Sequence, residues 1–80
     1  MKSFKIRLKS INDINEFVRI ANLFDDDIDL VSGRYVVDGK SIMGIFSLDL
    51  SDPIRVDIRG NYPDELRRDM EPFIVKEKNQ

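Results

Sequence analysis

The sequence contains no histidine and no cysteine. Those two absences exclude histidine phosphotransfer, thiol chemistry and a structural zinc site, and a disulfide framework with them. No apolar run approaches the ~18 residues that span a membrane. The opening Met1-Lys2-Ser3-Phe4-Lys5-Ile6-Arg7 alternates instead of passing from a basic stretch into an apolar block, which argues against a signal peptide. A cytoplasmic location is the expectation. No repeat, low-complexity segment or linker divides the chain, so residues 1–80 are expected to form a single domain with a modest core.

Hydrophobic residues make up 41% of the chain and charged residues 35%, a balance suited to a folded chain and not to a disordered one. The net charge of −2 comes from interspersed acids and bases, without the basic stripe that attracts nucleic acid. Lys2, Lys5, Arg7 and Lys9 read as the solvent face of a strand. Asp25, Asp26, Asp27 and Asp29 invite comparison with a calcium loop. They lack the glycine and the closing glutamate of that pattern, and read as a solvated loop. No metal or cofactor is expected.

Phe4, Ile6 and Leu8 alternate with Lys5, Arg7 and Lys9, the pattern of a half-buried strand. The spacing then becomes helical at Ile14, Phe17, Val18 and Ala21, and Ile11 and Phe24 can extend that face. Ser10, Asn12 and Asp13 offer caps, and Asp13 with Glu16 has capping-box spacing. Two short strands follow, around Ile28 and Leu30 and around Tyr35 to Val37, with a turn at Ser32-Gly33. Ser41 then suits the N-cap of a second helix. On a wheel, Ile45 and Leu48 share one side, while Ile42, Met43 and Phe46 share roughly the other. That trio is either an interaction patch or wholly core. Ile54, Val56 and Ile58 mark a last strand. Pro63, Asp64 and Glu65 suit the first turn of a third helix, whose face is Leu66, Met70, Phe73 and Ile74, and Lys76 to Gln80 read as a frayed tail. The order βαββαβα predicts an α+β fold: an open-faced two-layer sandwich with a mostly antiparallel four-stranded sheet and three helices on one face.

Gly39-Lys40-Ser41-Ile42-Met43-Gly44, at a hairpin-to-helix junction, resembles the regulatory segment of HPr, the histidine-containing phosphocarrier of the bacterial sugar phosphotransferase system. The element order is similar too, as is Glu16-Phe17-Val18-Arg19 in the first helix. In that family the phosphoryl-accepting histidine lies in a Gly-Leu-His-x-Arg-Pro stretch. An ungapped count from Ser41 places that stretch on Leu8 to Asp13, so Ser10 stands for the histidine, Asn12 for the arginine and Asp13 for the proline.

The resemblance therefore implies a non-catalytic, HPr-like regulatory or adaptor protein, similar in this respect to the catabolite-repression paralogue. It implies that Ser41 is a regulatory phosphorylation site. It also implies that Lys40, Ile42, Met43 and Phe46 meet a protein partner, either a transcriptional regulator or a sugar-transport component. Two competing readings stay open: a phosphocarrier with a non-histidine acceptor at Ser10 or an acidic residue, and an orphan domain that self-associates.

Overall fold

A computed structural model describes residues 1–76. Its strands are β1 (Lys2–Ile6), β2 (Asp27–Ser32), β3 (Tyr35–Asp38) and β4 (Ile54–Arg59). Its helices are α1 (Ile11–Ala21), α2 (Ile42–Phe46) and α3 (Asp64–Met70), with a 3-10 turn at Glu71–Phe73. The sheet runs β1-β4-β2-β3, antiparallel throughout. This is the expected βαββαβα sandwich. No helix among the described residues is long and apolar enough to cross a membrane.

Alternation sends Ile6, Ile28, Leu30, Ile54, Val56 and Ile58 to the helical side, where all are buried. Ile14, Phe17 and Ile20 of α1, Ile45 of α2, and Leu66 and Met70 of α3 close the core over them. Phe17 and Phe73 meet edge to face with ring centroids 5.8 Å apart, a favoured aromatic geometry.

Several boundaries differ from the pattern reading. β1 ends at Ile6, although Leu8 is still buried. Beyond the strand, the Arg7 N–H donates to the Phe73 carbonyl. The cap of α1 is Ser10, whose Oγ accepts the Asp13 N–H at 3.1 Å. The Asp13 carboxylate accepts the Lys9 N–H, so Asp13 and Glu16 form no capping box; Glu16 pairs with Arg19 instead. Ile11 opens α1 but is 65% exposed, and Phe24 lies beyond the helix. Pro63 is the N-cap of α3 and not part of its first turn. Pro72 falls in the 3-10 turn, past the end of α3. Ile74 is extended and bridges Ile6. Of the expected frayed tail, residues 77–80 lie outside the described residues, while Lys76 pairs with Glu71.

The acidic run is not wholly solvated. Asp26 is buried and its Oδ2 accepts the Tyr62 N–H at 2.8 Å. It fastens the entry of β2 to the loop before α3. Among the described residues no group of three or more acids is arranged to hold a metal ion.

The open face of the sheet carries a transverse row, Ser3–Asp57–Asp29–Asp38, one residue from each strand. Like charges directly opposite are unfavourable, and two arginines offset them. Arg55 holds both oxygens of Asp57 at 3.0 and 3.1 Å, and Arg59 reaches Asp29 at 2.7 Å. The Arg55 guanidinium, with help from the Ser3 hydroxyl, lowers the Asp57 carboxyl below its ordinary value. A depressed pKa stabilises the fold fully above the unfolded value of about 3.9, and that contribution disappears as pH falls through the lower folded value. Asp57→Asn is therefore expected to melt below wild type at neutral pH, with the gap closing in acid. Thermal melts from neutral pH to about pH 2 check this; a gap independent of pH would contradict it.

Candidate partner-binding site

The junction from β3 into α2 is held by local hydrogen bonds. The Gly39 N–H donates to the Ile28 carbonyl at 2.7 Å. A Cβ on Gly39 would sit 2.9 Å from Ile28, so only glycine fits this approach. Asp38 then caps the turn, its Oδ1 accepting the Lys40 N–H and its carbonyl accepting the Ser41 N–H. Ser41 is the N-cap of α2, with its Oγ accepting the Gly44 N–H at 3.2 Å. Gly44 lets α2 lie close to β3, since a Cβ there would meet Val37 at 3.2 Å.

Across α2 and the turn that follows it the structure splits the five apolar residues. Ile45 is fully buried, and Ile42 and Leu48 are half-buried against the core. Met43 is 76% exposed and Phe46 48% exposed. The two are three residues apart on one helical face. The exposed apolar surface is thus a pair, not the trio of the wheel. Lys40 also differs from a free surface cation. Its Nζ donates to the Phe24 carbonyl at 2.7 Å, which ties the residue inward. Asn22, which pattern reading missed, donates its side-chain amide to the carbonyls of both Val18 and Lys40. Its signal was an asparagine at a helix C-terminus. It joins the end of α1 to the entry of α2.

Ser10 and Asn12 are exposed at the start of α1, and Asp13 is half-buried. The Ser10 hydroxyl is engaged by the first turn, where it accepts the Asp13 N–H.

An antiparallel four-stranded sheet under three helices, with serines capping the first two, defines a small open-faced α+β sandwich. The family model for the HPr component phosphorylation site of the phosphotransferase system matches residues 10–71. The chain belongs to the HPr family.

Among solved structures, it is similar to HPr-C-His from Thermoanaerobacter tengcongensis, at 26% identity and a TM-score of 0.76, covering 90% of this chain and 89% of that one. It is similar to the phosphocarrier protein HPr from Bacillus anthracis, at 28% identity and 0.73, covering 92% and 94%. The catabolite-repression protein Crh of Bacillus subtilis, described as a swapped, intertwined dimer, is 25% identical with a TM-score of 0.61, covering 91% and 90%. No curated protein sequence is a match. HPr proteins are phosphocarriers, not classical enzymes, and interact with protein partners of the phosphotransferase system and with regulators.

Proposed function

We propose that this chain is a non-catalytic regulatory or adaptor member of the HPr family, acting in the bacterial cytoplasm. The observation that carries the reading is the absence of any histidine from a chain of this family. Ser10, the residue that the ungapped count places at the acceptor position, is a helix cap. A serine without a base is a poor nucleophile. The Asp13 carboxylate in the same turn repels a phosphoryl donor.

In this reading the partner, a transcriptional regulator or sugar-transport component, meets Met43 and Phe46, with Ile42 and Lys40 at the margin. Ser41 is the switch. Phosphate on an N-cap oxygen lies against the free N–H groups of the first turn. Beside Met43 and Phe46 it adds charge to an apolar contact.

Incubation with HPr kinase and ATP is expected to add one phosphoryl group by intact mass, and Ser41→Ala is expected to abolish it. An unmodified protein, with the kinase active on its own substrate, would sink the switch. Phe46→Asp is expected to weaken partner capture by roughly thirtyfold, the effect of losing a hot-spot anchor of about 2 kcal/mol. The competing phosphocarrier reading predicts label on Ser10 or Asp13 after incubation with the general phosphotransfer enzyme of the system; finding it would reverse the proposal.

A further inference from the structure

We infer that the outer edge of β3 is an interface for a second copy of this chain, with Val36 opposite Val36 across a two-fold axis. β3 ends the sheet, and no described element pairs with its outer side. Tyr35 and Val36, on that edge, are 67% and 62% exposed. An open edge with apolar side chains is a template for strand pairing.

The backbone sets which groups face outward. Ser32 lies opposite Tyr35 across a two-residue turn, Gly33-Arg34. Gly33 has φ +61 and Arg34 a negative φ, the arrangement of a type II′ hairpin turn. The pair flanking such a turn exchanges both hydrogen bonds, and alternation then points Tyr35, Val37 and Gly39 at β2. The Gly39 N–H bond to Ile28 agrees with that phase. Val36 accordingly turns both its N–H and its C=O to the outside, flanked by Arg34 of the turn and by Asp38, whose carbonyl is taken by the Ser41 N–H.

Only registers that set outward residues opposite outward residues can form a ladder. Sliding one way sets Val36 against Asp38 and brings Arg34 against Lys40, a like-charge pair. Sliding the other way sets Arg34 against Val36 and leaves Asp38 facing Ser32. The symmetric register sets Val36 against Val36 and Arg34 against Asp38 twice, once on each side of the axis. The charges that guard a monomer's edge then become two ion pairs. On the helical side of the sheet, Tyr35 lies over Val37 of the second copy. On the open side, Val31, already beside Val36 within one chain, extends an apolar row through the axis. The four-stranded sheet doubles to eight strands.

The test is sedimentation equilibrium of the full chain up to about 1 mM, with wild type, Val36→Pro, Arg34→Glu and Phe46→Asp. Wild type is expected to show reversible dimerisation. Val36→Pro removes an outward N–H without touching the bonds to β2. Two symmetry-related main-chain bonds are lost, a weakening of roughly tenfold to a hundredfold. Arg34→Glu, which opposes two acids to Asp38, is expected to weaken the dimer in low salt without affecting the fold, as read by circular dichroism. Phe46→Asp is expected to leave the dimer unchanged. Amide exchange at Val36 and Asp38 is expected to slow as concentration rises. A monomer throughout the range, or a dimer lost with Phe46→Asp and indifferent to Arg34→Glu, would overturn the inference.

Discussion

Phe17→Ala is expected to remove about 3–5 kcal/mol of stability. A chain of 80 residues holds on the order of 4–12 kcal/mol in total, so the variant is expected to lose a large share of its stability. Phe17 is fully buried at the centre of α1 and meets the Phe73 ring edge to face. Truncation leaves a cavity where α1, the 3-10 turn and the sheet converge. So small a core has few other residues able to collapse into the gap. Urea denaturation should show a much lower midpoint with an unchanged slope. A loss below about 1 kcal/mol would mean that the helices repack freely, contrary to the core described above.

The second large effect is expected at Gly60→Ala, through contacts and not core volume. Gly60 has φ +146, a region that side chains avoid. An added Cβ would lie 2.5 Å from Asp26 Oδ2 and 2.7 Å from its Cγ. Either the strand end distorts or the carboxylate leaves, abandoning the Tyr62 N–H. Strain of about 1–3 kcal/mol and an unpaired, part-buried donor of about 1–3 kcal/mol give an expected loss of roughly 2–6 kcal/mol. Gly33→Ala is the control: φ there is +61 but nothing lies within 4 Å, so only strain remains. Because Gly60 and Asp26 touch, Asp26→Ala with Gly60→Ala should cost clearly less than the sum of the two. Additive thermal shifts would show that the clash does not govern the site.

The strands and the first helix were legible because their periodicities are clean: β4 alternates without exception, and α1 keeps its helical face over three turns. Both serine caps were readable for a similar reason, since capping is a local negotiation between one side chain and the next turn. Pairing order and register were not, because they depend on contacts between distant segments. Asp26 shows the limit most clearly. Inside a run of aspartates it looks hydrated, and only the chain near Gly60, far along the sequence, makes it a buried anchor. α2 was ambiguous because a five-residue helix has too little length to declare one face. Its split places Ile45 on the side that meets the core and Met43 and Phe46 on the side that faces away, while Gly44 lies close to Val37. Lys40 shared that limit, since the carbonyl it reaches belongs to Phe24, on the other side of the hairpin.

The two margins of the sheet are treated unequally. The outside of β1 is stapled by the chain itself: Ile74 bridges Ile6, the Arg7 N–H meets the Phe73 carbonyl, and the Val75 N–H meets the Lys5 carbonyl. A molecule with one sealed margin and one open margin can associate once but cannot polymerise through its sheet. The segment after α3 therefore works as a chain terminator. Cutting the chain after Met70 would cost more than a few contacts. It would expose a second growing end and turn a self-limiting fold into one able to extend without closure.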